Sequence, residues 1–301
     1  MSFLQRLFDR FKSEDKLSPD NGTADTAPLD PDRGSAVKLV ENFRRHLSYG
    51  SAQSVGIERD HNEDALFVLT GNASGHDAAP DFGLFVVADG MGGHRSGEIA
   101  SALSVQTVAR RLTRETVLPL MDPDSREDLP PLHDLLREAL EEANRVVVEN
   151  VPGGGTTLTA AVLLGEQLTL GHVGDSRAYL INGNESQVIT RDHSLVERLQ
   201  ELGQLTPDEA AVHPQRNVLY RAIGQGENLE VDVFTQQVPQ GGHLLLCSDG
   251  LWGEVDDDEI RRIIMDHGDP QQACEELVRA ANAAGGPDNI SAVLVYFPAA
   301  L

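Results

Sequence analysis

Residues 82–90 read FGLFVVADG: an apolar run from Phe82 to Ala88 that stops at Asp89-Gly90. A short apolar run bounded by turn-forming residues predicts a strand. The arrangement recurs near the C-terminus, where Leu244 to Ser248 runs into Asp249-Gly250, and again where Asp288-Asn289 precedes the run Ile290 to Phe297. Taken singly, Asp-Gly is an ordinary turn. Taken together, three acids at the ends of core strands can converge on one edge of a stack of sheets. Charged carboxylates clustered near a core repel one another and are costly to desolvate. A hard divalent cation with oxygen ligands removes that cost. A fourth acidic position, Glu63-Asp64, stands just before the strand predicted at Ala65 to Thr70. Arg59 lies slightly upstream, and its planar fork suits phosphate oxygens. Pairing with a neighbouring acid is the other reading of that arginine.

Outward from these strands the chain alternates in blocks. A polar loop spans Gly71 to Asp81. A helix is expected from about Ser96 to Arg114, ended by a loop carrying Pro119, Pro123, Pro130 and Pro131. Leu132, Leu135, Leu136, Ala139, Leu140, Ala143, Val146 and Val147 then follow helical i, i+3, i+4 spacing. Strands follow at Thr156 to Leu164, Leu168 to Val173, Arg177 to Ile181 and Gln187 to Thr190, with Glu166-Gln167 and Asn182-Gly183 as hairpin turns. Residues 192–228 are mixed. Strands return at Leu229 to Val238 and His243 to Ser248. Two helices come next, the first opening on Asp256, Asp257 and Asp258, which suit the positive end of a helix. The second has Asp269 as N-cap, Pro270 at N1 and Gln272 at N3, a capping-box arrangement. Strands, two helices, strands, two helices and a last strand predict an α+β fold: a four-layer α-β-β-α sandwich of two antiparallel sheets flanked by helix pairs.

The N-terminus differs. Phe3, Leu4, Leu7, Phe8 and Phe11 form one helical stripe flanked by Arg6, Arg10 and Lys12. A Ser-, Asp-, Pro- and Gly-rich stretch follows, too poor in large apolar groups to order itself. The expected organisation is an amphipathic helix at 1–12, a flexible linker at 13–45 and a catalytic domain at 46–301. So short a helix is marginal in water and needs a surface. Its own domain, a partner protein and an anionic membrane are all open, the basic flank favouring weak, reversible contact with a membrane.

The chain has 301 residues and a formal net charge of −24. That charge excludes the basic surface a nucleic-acid partner requires, and most of the acids read as a solvated surface. Two cysteines, Cys247 and Cys274, have no zinc or disulfide spacing, which points to a reducing cytoplasm. No apolar stretch approaches a membrane span, and the N-terminus lacks the core of a signal peptide.

Eight stretches in order then resemble the metal-dependent protein phosphatases, the type 2C serine/threonine phosphatases. They are RDHNEDA (59–65), VVADGMGGH (86–94), GTTLTAAVL (155–163), HVGDSRAYL (172–180), RDHSLV (191–196), HPQRNVLYRAIG (213–224), LLLCSDGLW (244–252) and GGPDNISAVLV (285–295). The HPQRN and DGMGGH forms are similar to the bacterial branch. The resemblance implies hydrolysis of phosphoserine and phosphothreonine by a metal-activated water, with two Mn²⁺ or Mg²⁺ ions bridged by Asp89. Asp249 and Asp288 would complete the first site. Asp64 or Glu63, with Asp64 preferred, and the carbonyl of Gly90 would complete the second. Arg59 would hold the phosphate, and Asp175 would share a weaker third ion with Asp249. Residues 192–228 would be the flap beside the active site. The implied substrates are phosphorylated proteins, the targets of a serine/threonine kinase, met by a monomer.

Two departures stand out. Ser54 replaces an Asp common in the bacterial branch, at a position with no metal role. Met91 stands where some members carry a histidine proposed as general acid, so the proton donor is open. No Ser-His-Asp order and no activated cysteine suggests a covalent route; His193-Ser194 reads as flap structure. A pseudophosphatase would lack one of the metal carboxylates, and all are present. A hydrolase of small phosphoesters is opposed only by the resemblance, and phosphopeptides tested against nucleotides would separate the two.

Overall fold

The structure is a computed structural model that describes residues 47–72, 80–92, 95–122 and 130–299. The amphipathic stripe at 3–11, the linker and His94 lie outside the described residues. In chain order the fold begins with strands β1 (Ser48–Ser54), β2 (Ala65–Gly71) and β3 (Phe82–Ala88), and a two-residue strand β4 (Gly90–Met91). Helices α1 (Arg95–Leu112) and α2 (Leu132–Asn150) follow, then β5 (Gly155–Thr156), β6 (Leu158–Leu164), β7 (Gln167–Val173), β8 (Arg177–Asn182) and β9 (Glu185–Val188). Two short helices, α3 (Leu195–Glu201) and α4 (Pro207–Ala211), precede β10 (Asp232–Gln237) and β11 (His243–Cys247). The chain closes with α5 (Asp249–Trp252), α6 (Asp257–Asp266), α7 (Pro270–Ala284) and β12 (Ile290–Tyr296).

The strands form two five-stranded antiparallel sheets, ordered β1-β12-β11-β8-β9 and β10-β7-β6-β3-β2. This is the predicted α+β sandwich. Strand alternation builds its layers. In β3, Phe85 and Val87 face the other sheet and meet Leu244, Leu246, Val293 and Val295. Leu84, Val86 and Ala88 face the opposite way, into a core with Leu136, Leu140 and Val108 of the first helix pair. In β12, Ile290, Ala292 and Leu294 turn outward to Ile260, Ile264 and Leu277 of the second pair. Both faces of each central strand are therefore covered, which is why β3 reads as an unbroken apolar run with all seven residues buried.

Several local expectations are corrected. The first strand, SYGSAQS, has no apolar pattern and was not expected; it pairs along its length with β12, Ser48 opposite Tyr296 and Ser54 opposite Ile290. A Cβ on Gly50 would fall 2.3 Å from the backbone of Pro270 and Gln271, so α7 lies directly on that strand. Both hairpin turns sit one residue from the expected pair. Gln167 and Asn182 belong to strands, pairing with Leu164 and Glu185, and the turns centre on Gly165 (φ +61°) and Gly183 (φ +59°). The first helix does not stop near Arg114. A π-helical turn at Thr113–Val117 carries it to Leu120, which lets Pro119 enter at the start of the last turn. Asp269 caps α7 by accepting from the amide of Gln271 rather than forming a box with Gln272; the reciprocal box occurs instead at Thr206 and Glu209 of α4.

Removing bulk between the sheets tests this layering. Phe85→Ala is expected to lower unfolding free energy by about 3–5 kcal/mol in denaturant titration. Ile57→Ala, at a residue 68% exposed, should stay within about 0.5 kcal/mol of the unsubstituted protein. Equal effects would contradict the described core.

Candidate functional site

Antiparallel pairing decides which acids can meet. The end of β3 lies against the start of β2, Ala88 opposite Ala65. The end of β11 lies against the start of β12, Cys247 opposite Ala292, and the end of β7 against the start of β6, Val173 opposite Leu158. Asp89, Glu63-Asp64, Asp249, Asp288 and Asp175 all follow or precede those strand ends. The two sheets are stitched there by Asp64, whose Oδ2 accepts from Ser248 Oγ at 2.8 Å and Ser291 Oγ at 2.6 Å.

Each acid is set by its own backbone contacts. Asp89 donates its amide to Thr157 Oγ1 at 2.9 Å, and its carbonyl accepts from the Thr157 amide at 2.9 Å and Thr156 Oγ1 at 2.7 Å. Thr157 Oγ1 lies 2.7 Å from Ser176 Oγ, which joins that strand end to the Asp175 turn. Gly90 has no room for a side chain: a Cβ would fall 2.4 Å from the Glu63 carbonyl and 2.5 Å from that of Gly97. At Gly250 a Cβ would fall 2.1 Å from the Asn289 carbonyl, so Asp249 is pressed against the Asp288-Asn289 segment. Asn289 braces the loop before β2, its Oδ1 accepting from the Glu63 amide at 2.7 Å and its Nδ2 donating to the carbonyls of Val55 and His61 at 2.8 and 3.0 Å.

A cleft of about 470 Å³ opens above this edge, lined among others by Arg59, Glu63, Asp89, Asp175, Asp249 and Asp288. Asp64 is buried beside it, its carboxylate electrostatically linked to Asp249 and Asp288. Glu63 is among the lining residues, its Oε1 3.3 Å from His61 Nε2. Arg59 Nη2 donates to Asp288 Oδ2 at 2.7 Å, at the cleft wall. A second cleft of about 610 Å³ shares Arg59, Asp175, Asn217, Asp249 and Asp288 and continues between α3, α4 and Trp252.

The electrostatics of the cluster are unfavourable as it stands. Burial pushes Asp89 well above the usual carboxylate range, and the charges of Asp64, Asp249 and Asp175 push the same way. Burial raises Asp175 likewise, helped by Asp249 and Asp192. Asp249 is raised by burial and by Asp288. Asp64 is pushed up to about 7 by burial, against the two serine hydroxyls that lower it. Asp64 Oδ1 and Asp249 Oδ1 are buried with no hydrogen-bond partner. Among the described residues no group of His, Cys, Asp and Glu is drawn in tightly enough to hold an ion unaided. Unpartnered buried carboxylate oxygens, mutually repelling acids and an all-oxygen donor set are what a hard divalent cation fits.

No thiol route competes. Cys247 and Cys274 are both buried, and burial pushes the Cys274 thiol up to about 12 and that of Cys247 higher still. Ser194 Oγ is occupied as the N-cap of α3, accepting from the Glu197 amide at 3.3 Å. Ser248, Ser291, Thr157 and Asn289 were not singled out from the sequence. Ser248 and Asn289 at least stand next to Asp249 and Asp288 in sequence; Thr157 and Ser291 carry no such signal.

Comparison with known proteins agrees with this chemistry. The family model described as protein phosphatase 2C matches residues 58–294. A serine/threonine phosphatase stp of Listeria welshimeri is 35% identical over 243 residues, 79% of this chain and 90% of that protein. The crystal structure of the Mycobacterium tuberculosis serine/threonine phosphatase PstP/Ppp superposes with a TM-score of 0.70 at 32% identity, covering 84% of this chain and 99% of that one. A PstP catalytic domain in complex with two manganese ions gives 0.67 at 31% identity, over 83% and 97%. Among the described residues no helix is long and apolar enough to cross a membrane. The chain belongs to the protein phosphatase 2C family of metal-dependent serine/threonine phosphatases.

Proposed function

We propose that this chain removes phosphate from phosphoserine and phosphothreonine in proteins with two Mn²⁺ or Mg²⁺ ions, held at Asp89, Asp249, Asp288, Asp64 or Glu63, and the carbonyl of Gly90. The observation that carries the reading is the pair of buried, unpartnered oxygens Asp64 Oδ1 and Asp249 Oδ1 beside acids whose charges oppose one another. Ions held there would supply a water of lowered pKa and neutralise phosphoryl oxygens. The protein's own groups do the rest. Asp89, at the centre of the cluster, would serve both ion sites. The second would be completed by Asp64, whose carboxylate two serines fix, or by Glu63, which lines the cleft. Asp175 and Asp249 would hold a weaker third ion. Arg59 holds the phosphoryl group, exchanging its half-exposed pair with Asp288 for substrate oxygens. The second cleft, along α3 and α4, receives the polypeptide around the phosphoresidue.

The remaining assignments follow the same reading. The catalytic unit spans 46–301 and works as a cytoplasmic monomer. Residues 1–12 add weak docking to an anionic membrane surface or a partner protein, and the 13–45 linker separates the two.

Three measurements bear on these assignments. EDTA should abolish phosphopeptide hydrolysis and Mn²⁺ restore it; Asp89→Asn and Asp249→Asn should each lower kcat by orders of magnitude, while Arg59→Ala should act mainly on KM. Retained turnover in EDTA refutes the scheme.

Stability of the protein without divalent ions should depend on pH in an unusual direction. Asp64 holds its proton in the folded state up to about 7 but releases it near 3.8 when unfolded. The folded state therefore binds more protons, and its stability falls as pH rises from about 3.8 to about 7. Denaturant midpoints in EDTA should be higher at the acid end of that window, and Mn²⁺ should offset the loss at the other end by binding only the folded state. A rising midpoint in EDTA would contradict the buried charge cluster.

Deleting residues 1–35 should leave kcat/KM for a phosphopeptide unchanged. It should reduce any retention on vesicles containing phosphatidylserine. A large loss of activity would place the segment within the catalytic unit.

A further inference from the structure

His193 stands at the root of the flap, 1% exposed. Its backbone amide donates to the Gly174 carbonyl at 2.7 Å, and its Nδ1 accepts from the Gly174 amide at 3.0 Å. Both backbone polar groups of Gly174 therefore end on a single residue. Because the Gly174 N–H is the donor, Nδ1 carries no proton and the ring hydrogen is on Nε2. That hydrogen goes to Asp232 Oδ2, 3.2 Å away; Arg221 Nη1, although 3.0 Å from Nε2, spends its own donation on Asp232 Oδ1 at 2.8 Å, because a protonated Nε2 cannot accept. Burial, the neighbouring His172 and the Arg221 charge hold the imidazole down to about 4, so it stays neutral and Nδ1 stays an acceptor. The His193 carbonyl in turn accepts from the Tyr220 amide at 2.9 Å, and Ser194 bridges Leu219, so the flap crosses itself at this residue.

Gly174 is the residue before Asp175. It is buried, with φ +112°, and a Cβ there would fall 2.5 Å from Thr157 Cβ. The turn is thus pressed against the Asp89 support on one side and hung from His193 on the other. Asp175 has a further tie, its carbonyl accepting from Trp252 Nε1 at 3.0 Å, and Trp252 shares α5 with Asp249. Without an acceptor at the Nδ1 position the Gly174 amide would be buried and unpaired, and the turn would rotate to satisfy it.

We propose that His193 is a positioning residue whose Nδ1 fixes the Gly174–Asp175 turn, so that the Asp175 carboxylate is held for a further divalent ion and that site is tied to the flap. The inference rests on the assignment of Asp175 to a third ion made above. The residue's role differs from packing because it depends on one nitrogen.

Two substitutions separate those roles. Asparagine places its amide oxygen near the position of Nδ1, whereas glutamine reaches toward Nε2 and leaves Gly174 without an acceptor. Mn²⁺ titration of the full chain by calorimetry counts ions and their affinities independently of turnover. His193→Gln is expected to weaken the last, weakest ion by about 10- to 100-fold, as loss of an outer hydrogen-bond partner does at other metal sites. His193→Asn should restore most of that affinity, and both variants should keep the two tight ions. Equal affinities in the two variants, or a better third ion in His193→Gln, would overturn the proposal. Asp175→Ala is the control: a third ion surviving there means that the assignment of Asp175 has failed, whatever His193 does. Should His193→Gln not fold, exchange of the Gly174 amide in the unsubstituted protein decides. Protection matching that of core strand amides supports the hydrogen bond, and fast exchange overturns it.

Discussion

Carboxylates that raise one another's proton affinity must be held together by something stronger than their repulsion. Asp64, Asp89, Asp175 and Asp249 meet that condition through covalent attachment to strand ends already committed to the core. Asp89 cannot retreat from its neighbours without unpairing the amide and carbonyl fixed by Thr157, and it directly follows a strand whose seven residues are all buried. Burial within the sandwich stabilises the fold far more than the repulsion of a few partly screened charges opposes it. The fold thus holds an unfavourable charge arrangement that an ion would relieve.

Two antiparallel sheets suit this purpose better than one. A single sheet brings acids to one row, along which adjacent strand ends are spaced. Stacking a second sheet adds a row opposite it, and Asp64 joins the rows by accepting from Ser248 and Ser291 of the other sheet. Gly90 and Gly250 then matter for what they lack: each lies where any Cβ would strike a carbonyl at 2.4 Å or less. Close backbone approach is what brings the two rows within range of a common centre.

These physical differences explain what the sequence disclosed. Buried central strands are legible because both faces are apolar, so β3, β11 and β12 and the acids beside them stand out. The edge strand β1 is not, because its pairing is made by backbone groups and Gly50 is small only to admit the α7 backbone. Ser248, Ser291 and Asn289 are short polar residues that could equally be solvated; their partners, Asp64 and the carbonyls of Val55 and His61, come from more than 180 positions away. The choice between Glu63 and Asp64 was illegible for a related reason. Adjacent residues entering a strand point to opposite sides, and only tertiary contacts decide which side is the cleft. At Asp269 a box-like spacing misled because Gln271, not Gln272, meets the cap, while its side chain reaches back to the Ser51 carbonyl.

The arginines near the cleft are graded in a way that matches their proposed tasks. Arg177 is bidentate to Asp192, with Nε and Nη2 both donating, and its guanidinium lies 3.6 Å over the Trp252 ring. Its side chain is 23% exposed and its partner 9%, so water can replace little of that arrangement. Arg59 has one strong contact, to Asp288, and is 51% exposed. A pair of that kind is worth on the order of 0–1 kcal/mol. For the phosphate-holding role proposed for Arg59, such a weak resting partner would let the carboxylate give way to an arriving phosphoryl group. An arginine that anchors the flap beside Asp175 needs the opposite. The same side chain is tuned to both ends of that range within one wall of the cleft, by exposure and by the number of bonds each guanidinium makes.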